Sequence, residues 1–221
     1  MAYLESTKEF YKKLKTKGMS KLMTKERDKA YLQFLKSHLK KHQKILDLAC
    51  GYGRLTIPLA KAGYNIDGID LAPNFIKDAK SQAKRKNLKI NFKVGNMLDL
   101  PCKNESFDAI ICMWSSFNHL LTQKDQIKSL NEMLLILRKD GFAIIDMPSD
   151  KKPTTKQIKL KQFFGKDNRL CKSEIDGHSF VDYIHNKNSL KNIVQKSKIK
   201  NSQIKTELIG GRKRLILYIY K

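Results

Sequence analysis

From residue 44 to residue 147 the chain repeats one order, a short apolar run followed by a longer stretch with apolar residues every three or four positions. The runs fall at 45–49, 66–69, 90–94, 108–113 and 142–147, and the helical stretches at 55–62, 73–86 and 124–137. Strands alternating with helices of this length join through right-handed parallel crossovers, so the pattern predicts a doubly wound α/β sheet. Ahead of it, residues 6–41 read as helical, with Gly18 expected to split them in two. Behind it the rhythm changes. Residues 151–177 are polar and irregular, with Phe163 and Phe164 as their large apolar pair, and suit a lid or an extra strand pair. Asn188 or Ser189 can cap a helix running to about 198, and strands at 203–209 and 214–220 flank Gly210 and Gly211 as a hairpin. The expected whole is a single α/β domain: an N-terminal helical cap over 1–43, a core over 44–150, and a lid-like segment, helix and hairpin over 151–221. Its sheet is seven-stranded and mostly parallel, with an antiparallel end.

A doubly wound sheet binds ligands at the carboxyl ends of its strands, and the first strand-to-helix turn lies in that crevice. Here that turn belongs to ILDLACGYGR, residues 45–54. A dinucleotide fingerprint needs a third glycine where this chain has Thr56, and no Lys-Ser or Lys-Thr closes a phosphate loop. What remains is a nucleoside-like ligand without a pyrophosphate. Nineteen residues after Gly51, at the end of the second strand, Asp70 can accept hydrogen bonds from both hydroxyls of a ribose.

ILDLACGYGR, GIDLAPNFI, VGNMLDLP, FDAIICMWSSFNHL and LLILRKDGFAIID, in this order, resemble the successive motifs of the class I S-adenosylmethionine-dependent methyltransferases. The resemblance covers residues 44–148 and implies a Rossmann-like fold with S-adenosylmethionine as cofactor and S-adenosylhomocysteine as product. It implies that Asp47, Ala49, Gly51 and Gly53 line the methionine end, that Asp70 holds the ribose and that Leu71 packs on the adenine. Asn96 and Met97 would read the adenine edge. Cys112 and Met113 would face the reactive methyl, and Trp114, Ser115 and the loop to Asn118 would lie on the substrate side. Two positions depart from the family pattern: Asn96 stands where an acid is usual, and Ala49 where many relatives have glycine.

Methyl transfer from a sulfonium asks the protein to align a nucleophile and exclude water, with a base needed only for a nucleophile that keeps its proton. His119 is the candidate base by position and titration range. Tyr11 could cover the cofactor from the N-terminal helix. His38 and His42 lie one helical turn apart, but no third ligand accompanies them, so no metal is expected. The sequence CMWSSFNHL lacks the Asn/Asp-Pro-Pro-aromatic pattern of the amino-methyltransferases that act on adenine or glutamine side chains.

Charge bears on the acceptor. The net +24 is unevenly spread: Lys+Arg against acids run 13 to 4 over residues 1–44, 14 to 12 over 45–150, and 18 to 5 over 151–221. The basic flanks would attract a polyanion such as RNA. Lysines, however, outnumber arginines 38 to 7, which reads as solvated lysine faces more than as a phosphate-reading surface. The expected acceptor is therefore a small molecule, with RNA, or a non-catalytic cofactor-binding role, as alternatives. The N-terminus carries acids and no apolar signal core, and the apolar runs are too short to cross a membrane. Four scattered cysteines, with no CxxC pair, read as reduced thiols in a cytoplasmic protein.

Overall fold

The computed structural model describes residues 2–21, 24–149, 158–159, 169–175 and 178–221. Its centre is β1 (Lys44–Leu48), α3 (Thr56–Lys61), β2 (Asn65–Asp70), α4 (Pro73–Arg85), β3 (Phe92–Val94), β4 (Phe107–Cys112), α5 (Gln123–Ile136) and β5 (Leu137–Pro148). Two helices precede it, α1 (Ala2–Lys21) and α2 (Lys25–His38). After it come β6 (Ile158–Lys159), β7 (Leu170–Ile175), β8 (His178–Tyr183), α6 (Lys187–Gln195), β9 (Asn201–Ile209) and β10 (Arg212–Tyr220). The main sheet has seven strands in the order β3-β2-β1-β4-β5-β10-β9. The first five are parallel, and β10 runs antiparallel to both β5 and β9. Strand order reverses between β1 and β4, which opens the ligand crevice of this topology at their carboxyl ends. β6, β7 and β8 make a separate antiparallel sheet, in the segment read as a lid or extra strand pair; Phe163 and Phe164 lie outside the described residues.

Alternation along the strands assigns each residue to one face. Leu46, Leu48, Ile110, Cys112, Leu215, Leu217 and Ile219 pack with Leu130 and Met133 of α5 and Leu190 and Ile193 of α6. Ile45, Ala109, Ile111, Met113, Ile216 and Tyr218 pack with Tyr31 and Leu35 of α2 and with Leu55 and Leu59 beside α3. Asp47 takes an α2-side position between such apolar residues, which is why it is only 3% exposed.

Two local expectations need correction. Gly18 does not break the N-terminal helix. Phe10, Leu14 and Gly18 are all buried, and the helix is kinked ahead of the glycine, where two helical segments meet. The non-helical residue inside α1 is Lys15 (φ 55), and α2 begins at Thr24, whose hydroxyl caps Arg27 N–H. The cap of α6 is Asn186, two residues before the expected position; it and Ser189 form a reciprocal capping box.

Candidate functional site

The carboxyl ends of β1, β2 and β4 open into a cleft. Its floor is the β1 exit. Ala49 has φ 61 and Gly51 has φ 56, both left-handed. Alanine is strained in this region and glycine is not. A Cβ built on Gly51 would meet nothing within 4 Å, so this stretch of main chain faces open cleft. Gly53 differs. A Cβ there would lie 2.8 Å from Ile57 Cδ1 and 3.2 Å from Phe92, so this glycine allows the turn to pack on α3 and β3 and does not line the cleft.

Asp70 ends β2 beside this floor. Its Oδ2 accepts Gly51 N–H at 2.7 Å and its Oδ1 accepts Ala72 N–H at 2.8 Å, so both oxygens are fixed before any ligand arrives. Burial raises its pKa above the usual carboxylate value, opposed by the two backbone N–H groups and by His119. Asp47 accepts Thr56 Oγ1–H at 2.6 Å. Burial pushes its pKa up to about 7, against the pull of Thr56 and Arg54 and with a further push from Asp70. The cleft floor thus carries two carboxylates, one pinned by main chain and one poised to ionise near neutrality.

The roof comes from the N-terminal helix and the small sheet. Thr7, Lys8, Tyr11 and Met19 of α1 line the cleft, and Phe10 packs on Phe180 of β8 with ring centroids 4.8 Å apart. Tyr11 also contacts Phe75 of α4 at 5.7 Å. Its hydroxyl lies 2.5 Å from His119 Nε2, whose other nitrogen, Nδ1, sits 3.0 Å from Asp182 Oδ1 of β8 at ion-pair distance without hydrogen-bond alignment. Burial alone would lower the His119 pKa; Asp182, a main-chain contact to Val181 and Asp70 outweigh it and leave it raised. Burial, together with Asp182 and Asp70, pushes the Tyr11 phenol far above its ordinary range, so Tyr11 stays protonated and serves as a donor.

Beyond β4 the wall is Trp114. Trp114 and Ser115 take consecutive left-handed conformations, φ 60 and 65. Asp146 of β5 holds this turn. Its Oδ2 accepts Trp114 N–H at 3.0 Å, its carbonyl accepts Ser115 N–H at 3.1 Å, and Arg214 of β10 grips its carboxylate at 2.7 and 2.9 Å while donating to Ser115 Oγ at 2.8 Å. Tyr31 of α2 donates to the same carboxylate at 2.9 Å and stacks on the Trp114 ring at 4.8 Å. On the indole, Arg54 lies 3.9 Å from the ring centroid and is paired with Asp28.

Of the residues read from sequence, Asp47, Ala49, Gly51, Asp70, Leu71, Asn96, Met97, Met113, Trp114 and His119 come together around this cleft. Cys112, Ser115 and Asn118 do not. Cys112 points to the α5 and α6 face and is fully buried, so strand alternation leaves Met113 as the β4 residue in the cleft. Ser115 turns to Arg214, and Ser116 lines the cleft instead. Asn118 is fully buried in the 3-10 turn Ser116–His119. His38 is occupied with Phe34 O and Tyr218, and among the described residues no group of three metal-ligating side chains occurs. Tyr52, Arg54 and Phe75 line the cleft without having been singled out; Arg54 stood within ILDLACGYGR, but nothing local marked where a side chain from α3's approach would reach. Asp182 and Arg214 lie outside the motifs, and Asp146 ends LLILRKDGFAIID without a local sign of its partners, which lie as far as 115 residues away.

A methyltransferase-domain family model matches residues 45–141. A protein of Geobacillus sp. (strain WCH70), named as a candidate methyltransferase, is 31% identical over 134 residues, 58% of this chain and 54% of its own length. The glycine/sarcosine N-methyltransferase of Aphanothece halophytica is 32% identical over 117 residues, 52% of this chain and 44% of that protein. The chain thus spans about half the length of the curated relatives it matches. Among solved structures, a Pyrococcus horikoshii OT3 protein superposes with TM-score 0.72 at 22% identity, covering 88% of this chain and 90% of that one. A Methanosarcina mazei S-adenosylmethionine-dependent methyltransferase gives 0.66 at 19% identity, with 85% and 96% covered.

Proposed function

We propose that this chain is a class I S-adenosylmethionine-dependent methyltransferase that transfers a methyl group from that cofactor to a nucleophile on a small molecule. The residues present fit the cofactor: an open main-chain cradle at Gly51 for close approach, and a prearranged carboxylate at Asp70 for ribose hydroxyls. The observation that carries the small-molecule reading is the roof, because α1, backed by β8, lies over the cleft and an acceptor must fit beneath it. The name of the Aphanothece halophytica relative, a glycine/sarcosine enzyme, points the same way.

S-adenosylmethionine, when bound, supplies a methyl group already activated on a positively charged sulfur. Asp70 would accept from the ribose, Leu71 would pack on the base, and Asn96 and Met97 would read its edge, the Asn96 carbonyl through the lone pair left beside its bond from Leu98 N–H. Asp47 supplies negative charge beside the methionine end. Tyr11 and the roof exclude water from the reacting centre. His119, oriented by Asp182, presents Nε2 as the proton acceptor of the site, and Tyr11 is the donor it currently engages. A proton leaving the acceptor reaches His119 by displacing that hydroxyl or by passing through it.

Isothermal titration tests the reading: micromolar binding of S-adenosylmethionine and S-adenosylhomocysteine with none of NADH supports it, and no binding of either overturns it. Turnover with a metabolite pool and none with RNA supports the small acceptor; RNA-dependent turnover replaces it with the polyanion reading, and binding without turnover on either pool replaces it with the non-catalytic one.

The Asp47 pKa sets a pH dependence. An ammonium group placed beside Asp47 by the amino-acid end of the ligand would favour its ionised form, so affinity for S-adenosylhomocysteine should rise as pH climbs from 6 toward about 7, by at most roughly tenfold per unit, and level off above it. His119 and Asp70 also face the cleft, so Asp47→Asn is the control. A profile that is the same in that variant would remove Asp47 from the cofactor site.

A further inference from the structure

At one end of the main sheet, β9 has a single neighbour among the described strands, β10. It pairs with β10 from Asn201 to Ile209 in unbroken register, with no proline and no bulge, so a long edge is left open. The hairpin fixes which main-chain groups lie on that edge. Gly210 and Gly211 both have positive φ, 57 and 74, the two-residue turn that closes on a hydrogen-bonded pair, here Ile209 and Arg212. Hydrogen-bonded and non-hydrogen-bonded pairs alternate along an antiparallel ladder, so Gln203, Lys205 and Glu207 bond to β10, and Ser202, Ile204, Thr206 and Leu208 turn their N–H and C=O groups outward. The side chains here are open to solvent as well. Leu208 is 70% exposed, against 48% for Val94 and 46% for Leu135, Lys205 and Thr206 are exposed, and Ile204 is half-buried. Lys205 and Glu207 share one face, where Lys205 Nζ lies 5.4 Å from the centre of the Tyr218 ring and Glu207 accepts the Tyr218 hydroxyl at 3.4 Å.

We infer that this edge is a self-association surface, on which β9 of a second copy of the chain pairs antiparallel about a two-fold axis at Thr206. The strand is self-complementary around that residue. An axis at Thr206 sets Lys205 opposite the second copy's Glu207, and by symmetry the same ion pair forms again on the other side of the axis. These pairs fall at non-hydrogen-bonded positions, where opposed Cα atoms approach to about 4.5 Å and side chains lie closest. On the other face Ile204 lies opposite Leu208, also twice, which covers the exposed leucine with an apolar partner. Thr206 meets its own copy, and the outward N–H and C=O groups of Ile204, Thr206 and Leu208 are paired in the same step. Other axes lose this match. One at Lys205 or Glu207 opposes like charges, one at Ile204 sets Leu208 against Lys200, and one at Leu208 runs the ladder into the glycine turn. Because β9 runs parallel to β1 through β5, the two sheets become one whose clefts open at opposite ends, and no β9 residue lines a cleft. The surface is therefore independent of the cofactor and acceptor readings.

Sedimentation equilibrium of the full chain tests the surface. One strand edge is a small interface, so a concentration-dependent monomer–dimer equilibrium is expected. Thr206→Pro removes an outward N–H and leaves the β10 ladder intact, and it should be monomeric at concentrations where wild type is dimeric. Lys205→Glu and Glu207→Lys each place like charges opposite one another twice, and each should weaken the dimer by about tenfold or more. Mixed together, these two variants regain both ion pairs and should form a heterodimer, and the exchanged variant Lys205→Glu/Glu207→Lys should dimerise like wild type. Circular dichroism and the urea midpoint check that each variant is folded, and if Thr206→Pro is not, the charge series decides alone. A wild type that stays monomeric overturns the proposal and leaves the edge to a strand of another protein. A dimer unaffected by the charge reversals and by folded Thr206→Pro lies elsewhere on the molecule and overturns it as well. Charge variants that dissociate but neither pair when mixed nor recover in the exchanged variant overturn the Thr206 axis and the proposal with it.

Discussion

Asp146→Ala should cost the protein about 3–5 kcal/mol of folding stability, read as a fall in the urea midpoint at unchanged slope. Asp146 is fully buried and its carboxylate is gripped twice by Arg214, whose own side chain is 13% exposed. Removing the acid leaves a guanidinium in low dielectric with nothing to balance it, and strips the acceptor from Tyr31 O–H and Trp114 N–H. Those bonds also hold the left-handed pair Trp114 and Ser115, a conformation that costs energy unless its surroundings impose it. Asp146→Asn keeps one acceptor oxygen and should lose less. Replacing both partners, Asp146→Leu with Arg214→Met, should recover much of the loss, since no lone charge is left behind. A single-variant loss below about 1 kcal/mol would mean that the ion pair is solvated and does not organise the wall.

The same network explains which parts of the molecule could be read in advance. The parallel core was legible because each strand is a short apolar run bounded by turn residues, and because α4 and α5 keep helical spacing between them. The place of the β1 exit and of Asp70 beside the cleft was legible because topology fixes where the strand ends of a doubly wound sheet meet. Boundaries blurred where one element runs directly into the next. β5 begins at Leu137, the residue that caps α5, five positions before the apolar run at 142, and passes through the left-handed Asp140 on the way. Gly18 misled because the kink falls three residues earlier, at Lys15, a residue type that does not signal a break in the sequence.

The walls and roof were not legible. Tyr31, Asp146 and Arg214 come from three elements separated by 68 to 115 residues, and Asp182 reaches His119 from a sheet whose strands lie in polar sequence. Spacing along a chain reports which face a residue takes; it does not report which distant element that face will meet. His119 was singled out as a lone histidine, and the partner that raises its pKa became visible only once β8 was seen to pack over the cleft.

Asp70→Ala should weaken S-adenosylhomocysteine binding by about 3 kcal/mol, on the order of a hundredfold in Kd, with little change in the thermal midpoint. The wild-type carboxylate does two things at once. It accepts Gly51 N–H and Ala72 N–H, which sets the main chain of the β1 exit against the start of α4, and in the proposed role its remaining lone pairs would accept from ribose hydroxyls. Alanine removes both. The freed Gly51 N–H borders open cleft, where water can replace the lost acceptor, so the fold survives while the ligand loses a charge-assisted partner and a preset floor. Asp70→Asn separates the two contributions. Its one carbonyl oxygen can satisfy a backbone N–H or a hydroxyl but not the whole set, so its affinity should fall between wild type and alanine. If calorimetry shows Kd within about twofold of wild type for Asp70→Ala, the ribose assignment is wrong, and with it the orientation of the cofactor along β1 and β2.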